Sequence, residues 1–310
     1  MQSNVTVVIP TRNRPELLMR AIKSVQAQTR PVDEIIVVVD GPDEVTVKAL
    51  SDAGDPRIRP IVLPTNGGAN NARNQGAASS TTEWVAFLDD DDEWLPTKIE
   101  KQLAVADNYD IVGCRYLART SKHSHTWPQR LPVEGERFGD YLFARRSFFR
   151  GESSINTSAL LVRRSLLARV PLSTGLRRHQ EADWAMRATE AGGRLCYVPD
   201  TLMVFDDDLG RVRISTTHNW RQSLDWIRSV RSRINRRAYA GFVLTSVGAV
   251  AASQNDWAAF LPLLREAIVV GSPTPLHLVL YFGMWAFPQP LRQSLRGLLK
   301  PAKWRERNAS

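Results

Sequence analysis

The sequence predicts an α/β fold with a mostly parallel central sheet, followed by a C-terminal basic helical region. Two observations predict the first part. Over residues 5–106, short β-branched runs alternate with segments whose apolar residues recur at helical spacing. The strand runs are continuously apolar rather than alternating, which requires cover on both faces of the sheet. A third observation sets the second part apart: beyond residue 215 the periodicity turns helical and arginine becomes abundant. The expected division is a domain over residues 1–215 and a helical region over residues 216–310.

Residues 5–10 are the first β-branched run, and Pro15 opens a helix with Leu17, Leu18, Ala21, Ile22 and Val25 on one face. Residues 34–39 are a second strand, closed by the turn Asp40-Gly41-Pro42 and followed by a short helix over 45–50. Residues 59–63 give a third strand, Asn66-Gly67-Gly68 punctuate the chain, and residues 69–79 form a helix of small side chains. Residues 83–88 are the fourth strand and run straight into Asp89, Asp90, Asp91, Asp92 and Glu93, before a helix over 96–106. Ligands of such sheets sit beyond the carboxyl ends of the strands. Thr11, Arg12, Asn13, Asp40, Asp43, Asn66 and the four aspartates end strands, so they are expected to converge on one rim. Further on, a polar stretch at 119–136 is expected to be a functional loop. A basic aromatic segment follows at 141–150, and helices are expected over 220–237, 238–253 and 257–270.

With 310 residues, 43% hydrophobic and 24% charged, the chain has the balance of an ordinary soluble globular protein. Cys114 and Cys196 are too few for a disulfide framework or a Cys-rich metal site, which fits a reducing cytoplasm. The N-terminus lacks a basic segment followed by a long apolar one, so no secretory signal is expected. Charge is uneven. From Arg211 onward there are 15 Lys or Arg against 4 Asp or Glu, a balance of +11, whereas residues 1–210 hold 26 against 28, or −2. Such a basic region points to an anionic surface as partner.

Four consecutive aspartates at the end of an apolar strand repel one another unless a cation neutralises them, and hard oxygen ligands select Mg²⁺ or Mn²⁺. The bland alternative is an exposed acidic turn. The chain here resembles glycosyltransferase family 2, the inverting enzymes of GT-A fold. The resemblance rests on VVIPTRNRPELLMRAIKSV at 7–25, EIIVVVDGPDE at 34–44, NGGANNARNQG at 66–76, EWVAFLDDDDEWLPTKIEKQ at 83–102 and HQEADWAMR at 179–187, and covers about two thirds of the chain. It implies a nucleotide-sugar donor, with a UDP-, dTDP- or GDP-sugar all open, and a saccharide or lipid-linked acceptor.

Residue by residue, the resemblance implies that Pro10, Thr11 and Asp40 contact the base, although Val39-Asp40-Gly41-Pro42 stands where the family often has Asp-Asp-Gly-Ser. Arg73 is expected to face the nucleotide and Asn74 to brace a helix. Asp89 is expected toward the ribose and metal, Asp91 as a direct metal ligand, and Asp90 close enough to share either task. The family's catalytic base, an Asp six residues before an Arg, maps to Glu181 before Arg187, with Asp183 as the neighbouring candidate. On a helix these two acids lie about 200° apart, so they cannot both face one site. His179 is expected to line the site or support it, His218 is a candidate for the metal shell, and residues 153–158 resemble the stretch that faces the donor sugar, with a buried turn as the equal alternative.

Residues 267–291 carry no charged side chain, but Pro273, Pro275, Pro288 and Pro290 interrupt them, which argues for a core or interfacial helix instead of a membrane span. Beyond them, Arg292, Arg296 and Lys300 share one helical face and Leu291, Leu295, Leu298 and Leu299 another. This describes a basic amphipathic helix on an anionic membrane surface, so a cytoplasmic protein, peripheral on the inner face, is expected. A sugar nucleotidyltransferase would need a Gly-rich basic loop after the first strand, where residues 10–15 have no glycine. No readout motif supports nucleic acid as a partner, and no Gly-x-Gly-x-x-Gly follows the first strand for a dinucleotide.

Overall fold

The computed structural model describes residues 4–120, 124–148, 152–206 and 219–287. These form two compact units, one within Met1–Pro132 and Ser154–Arg211, the other within Val133–Ser153 and Val212–Ser310. The boundary expected at 215/216, His218 and the basic amphipathic segment after residue 291 lie outside the described residues. The segment 133–153, expected with the first domain, groups with the C-terminal helices.

In chain order the first unit contains β1 (Val5–Thr11), α1 (Pro15–Gln26), β2 (Glu34–Val39), α2 (Glu44–Asp52), β3 (Ile58–Val62), α3 (Ala69–Ser79), β4 (Trp84–Phe87), β5 (Glu93–Trp94), α4 (Lys98–Leu103), β6 (Ile111–Arg119) and β7 (Ser124–Trp127). The chain then gives α5 (Phe138–Phe143) to the second unit. It returns with β8 (Leu161–Arg163), α6 (Arg164–Arg169), α7 (Gln180–Glu190) and β9 (Leu195–Asp206). The sheet order is β3-β2-β1-β4-β8-β6-β9-β5, with β7 paired to β6.

The four strands read from the sequence are parallel, with Val7 of β1 opposite both Ile35 of β2 and Ala86 of β4. The chain moves outward through β2 and β3 and then returns to the other flank of β1 as β4. That reversal opens a crevice at the carboxyl ends of β1 and β4, the usual ligand position of such sheets. The rest of the sheet is mixed: β8 runs antiparallel to β4 and β6, while β6 and β9 are parallel. The polar stretch expected to be a loop contributes β7, whose Trp127 meets the Tyr116 ring edge-on with centroids 6.1 Å apart. An edge strand has no partner on one side and needs few apolar residues, so its composition hides it.

Continuous apolar strands are explained by cover on both faces. Val7, Ile9, Val37 and Val39 share a core with Leu18, Ile22 and Val25 of α1. The alternate residues Val8 and Val38 meet α3, which approaches so closely that a Cβ at Gly76 would fall 2.4 Å from a Val8 methyl. Small residues in α3 are therefore required by the approach.

The core also encloses a cation. Lys98 is fully buried, donates to Gln102 Oε1 at 2.6 Å and lies 4.1 Å from the Trp94 ring centre. Gln102 in turn donates to the carbonyls of Val112 and Ala159, tying α4 to the sheet.

The second unit contains α5 and then α8 (Trp220–Ser229), α9 (Arg236–Phe242), α10 (Gly248–Ser253), α11 (Phe260–Val269) and α12 (Pro275–Ala286), with a π-helical turn over Val243–Val247. Phe143 of α5 packs edge-on against Trp226 and Phe242, centroids 5.8 and 4.9 Å away. This aromatic contact explains why the segment leaves the first unit.

Burial lowers the Lys98 pKa from 10.5 to about 8. The folded chain thus holds this proton less tightly than the unfolded chain, and stability should rise as pH climbs from about 8 toward 10.5. Urea titrations of wild type and Lys98→Met across that interval should show this rise only in the wild type; parallel profiles would refute it.

Candidate active site

The site is assembled where β4 ends. Leu88 leads into a turn closed by the Asp92 amide on the Asp89 carbonyl at 3.1 Å, and this turn sorts the four aspartates. Asp89, Asp91 and Asp92 bring carboxylate oxygens within 4.8 Å of one another, and they are the group among the described residues that could hold a metal ion. Asp90 turns away. Its carboxylate accepts from Thr11 Oγ1 at 2.8 Å and from Arg14 Nη1 at 3.2 Å, across the crevice between β4 and β1.

Asp89 and Asp92 each have a side-chain partner of their own, whereas Asp91 shares Arg14 with Asp90, at 3.6 Å. Arg73, buried on α3, donates to Asp89 Oδ1 and to Asn70 Oδ1, the latter at 2.8 Å. Ser158 donates to Asp92 Oδ2 at 2.6 Å and accepts from the Asp89 amide at 3.0 Å, so one hydroxyl holds both ends of the turn. Arg20 of α1 donates to the Asp91 carbonyl at 2.9 Å. Burial raises the Asp90 pKa to about 6, against the Thr11 hydrogen bond and the Arg14 charge. Burial, followed by the charge of Asp89, pushes the Asp92 carboxyl well above the usual carboxylate range. Arg73 behaves oppositely: burial works against its charge, but Asp89 and Glu181 outweigh that cost and keep it cationic.

This donor set fits a hard divalent cation. Three clustered carboxylates, one strongly reluctant to ionise, have the chemistry that Mg²⁺ or Mn²⁺ satisfies.

Asp40 ends β2, nearly buried, and accepts from the Gly67 and Gly68 amides at 2.8 and 2.9 Å. It therefore braces the turn that opens α3, where Gly68 has φ +85°. Pro10 is a buried β1 residue paired in register with Val38. Asp43 caps α2 through Thr46 and accepts from the Asn13 amide at 2.8 Å.

The α7 acids separate as helical geometry demands. Glu181, in the first turn, accepts from Thr157 Oγ1 at 3.3 Å and acts on the charge of Arg73. Asp183 faces another way, its Oδ2 accepting from Ser173 Oγ and Arg187 Nε, both at 2.8 Å. Asn74 bonds both the amide and the carbonyl of Leu172, each at 2.9 Å, tying α3 to the segment after α6. His179 is the N-cap residue of α7, in a left-handed conformation with φ 61°. Sequence reasoning missed Arg14, Arg20 and the separate part of Asp92. Asp92 carried a signal as a member of the acidic run, and Ser158 lay within the segment 153–158 already singled out; an Arg at the start of α1 or on it is too common to stand out.

The model of glycosyl transferase family 2 matches residues 6–170, more than half of the chain. The chain belongs to glycosyl transferase family 2. The amylovoran biosynthesis glycosyltransferase AmsB of Erwinia amylovora is 23% identical over 247 residues, covering 75% of this chain and 79% of AmsB. Two bacterial relatives of higher identity, 38% and 35%, are matched over only 34% and 30% of their own length. Among solved structures, Staphylococcus aureus TarS 1-349 in complex with UDP-GlcNAc superposes with a TM-score of 0.61 at 15% identity, covering 94% of this chain and 92% of TarS 1-349. The mannosyltransferase PcManGT of Pyrobaculum calidifontis, in complex with GDP-Man and Mn²⁺, gives 0.60 at 16% identity, covering 95% of this chain and 83% of PcManGT. The GT-A fold implied by the sequence resemblance is the fold of this family 2 chain.

Asp40→Ala removes the acceptor of two backbone amides. It should lower unfolding stability by about 1–3 kcal/mol and speed hydrogen exchange at Gly67 and Gly68. Unchanged exchange there would show that the turn holds without Asp40.

Proposed function

We propose that this protein is an inverting, metal-dependent glycosyltransferase that moves a sugar from a nucleoside-diphosphate sugar to an acceptor hydroxyl in cell-surface polysaccharide or glycoconjugate synthesis. The observation that carries the proposal is the three-carboxylate group Asp89, Asp91 and Asp92 at the sheet's switch point, with Glu181 coupled to it through Arg73. The ligands of TarS and PcManGT support a nucleotide-sugar donor, and the name of AmsB supports polysaccharide synthesis. The base, the sugar and the acceptor, saccharide or lipid-linked, stay open. The basic C-terminal segment supports peripheral association with an anionic membrane surface on the cytoplasmic side.

In this reading Asp89, Asp91 and Asp92 would hold Mn²⁺ or Mg²⁺, which when bound would supply Lewis-acid stabilisation of the negative charge that develops on the diphosphate. The remaining work belongs to the chain. Arg73 lends fixed positive charge beside Asp89, and Thr11 and Arg14 keep Asp90 out of the metal group. Asp40 holds the 66–68 turn against the nucleotide side of the sheet. Glu181 takes the proton of the acceptor hydroxyl as its oxygen bonds to the anomeric carbon; the bond to the diphosphate oxygen breaks, and attack from the opposite face inverts the centre. Asp183, clamped by Arg187 and Ser173, fixes the orientation of α7.

Two variants separate the α7 acids. Glu181→Gln should cut turnover by about 10²–10⁴-fold, the usual effect of losing a general base, with donor affinity nearly unchanged. Asp183→Asn should mainly lower thermal stability; loss of turnover in Asp183→Asn with an active Glu181→Gln would exchange the roles.

Asp91→Ala should abolish transfer and remove the enhancement of nucleoside-diphosphate binding by Mn²⁺, read by calorimetry with and without the metal. Full activity in EDTA would overturn the metal reading.

A further inference from the structure

Helix α12 is built with its polarity reversed. Its twelve residues contain no charged side chain, and its one strongly polar member, His277, points inward, with Nε2 at 3.1 Å from the carbonyls of both Ala144 and Arg145. The exposed positions are Pro275, Val279, Phe282 and Ala286, spaced four, three and four residues apart as one helical face. A helix that is apolar all round is normally enclosed. This one is not.

The face extends onto α11. The Phe260 ring meets Phe282 edge-on at 5.8 Å and Trp285 at 5.4 Å, and Trp257 packs on Trp285 at 5.0 Å. In this unit Trp257, Leu261, Ile268, Val269, Val279 and Phe282 are all between 47% and 68% exposed. Leu261, Ile268 and Val269 also line a groove of about 780 Å³ shared with Trp220 and Leu224 of α8. An apolar surface of this extent on a soluble unit marks an interaction site.

Charge selects the occupant. Residues 219–287 carry seven arginines against three acids, a balance of +4, and Arg221, Arg228, Arg236, Arg237 and Arg265 are exposed. Residues 288–310 continue directly from α12 with six Lys or Arg against one acid. A second copy would bring the same excess of positive charge to the contact, whereas anionic lipid headgroups complement it. No helix among the described residues is long and apolar enough to cross a membrane, and twelve residues of α12 measure only about 18 Å. The face can lie in a membrane but cannot span it.

We propose that the exposed face of α12, continued by Trp257 and Leu261, inserts into the interfacial layer of an anionic lipid membrane, with the surrounding arginines on the headgroups. This surface is made of residues other than those of the C-terminal amphipathic segment and of the site at the sheet. It does not rest on the glycosyl-transfer reading.

The test is co-sedimentation of the full chain with phosphatidylcholine vesicles with and without phosphatidylglycerol. Wild type should bind the anionic vesicles. The double variant Val279→Glu/Phe282→Glu, which alters only exposed positions, should bind them about tenfold or more weakly, while its circular dichroism, melting temperature and nucleoside-diphosphate binding stay unchanged. Phe282→Leu should retain binding. Undiminished vesicle binding by the double variant overturns the proposal and assigns the membrane contact to residues 288–310. A wild type that ignores anionic vesicles but sediments as a dimer, with the double variant monomeric, overturns it in favour of a second copy.

Discussion

Mutual repulsion among four consecutive carboxylates is the constraint around which the first unit is organised. Left in one turn without partners, Asp89, Asp90, Asp91 and Asp92 would oppose one another and the burial of their own strand end. The fold answers with separate partners for three of them. Thr11 and Arg14 draw Asp90 to the β1 side, Arg73 reaches Asp89 from α3, and Ser158 holds Asp92 from the segment before β8. These partners come from three separate stretches of chain, so the turn cannot be set until the sheet is assembled. Asp89, Asp91 and Asp92 nevertheless stay clustered, with carboxylate oxygens within 4.8 Å of one another, and the proposed divalent cation would offset the repulsion that remains.

Support for that arrangement runs outward through the helices. Arg73 can reach Asp89 because α3 lies close on the sheet, which Gly76 permits, and because Asp40 fixes the turn where α3 begins. Glu181 is held near the same guanidinium by α7, whose setting depends on the bonds among Asp183, Arg187 and Ser173. One helix thus carries, two residues apart, the acid proposed as the base and an acid bonded within the fold. Their separation follows from helical rotation, and their identities follow from which neighbours each rotation meets.

The two units solve burial differently. The first places apolar strands between helices and hides even a lysine in its core. In the second, α12 directs its histidine toward carbonyls of the segment after α5 and leaves apolar side chains outside. That inversion is a packing outcome; composition alone records only that residues 267–291 lack charge.

Much of this protein was legible in the sequence. The first four strands, the helices between them and the rim where they end followed from periodicity and turn residues, because continuous apolar runs have few alternatives to a covered parallel sheet. The acidic run and the pair Glu181 and Asp183 were equally visible, since consecutive carboxylates and a fixed spacing on a helix are local features. What the sequence could not determine was assignment among like residues. Which aspartate of four turns toward Thr11, which acid of two meets Thr157, and whether His277 faces in or out depend on atoms brought together from 24 to 133 positions away along the chain. β7 escaped for a related reason, because an edge strand owes its existence to the neighbour it pairs with and little to its own composition. Hydrophobic periodicity is written residue by residue along the chain; the partner of a polar group is chosen only when distant segments meet.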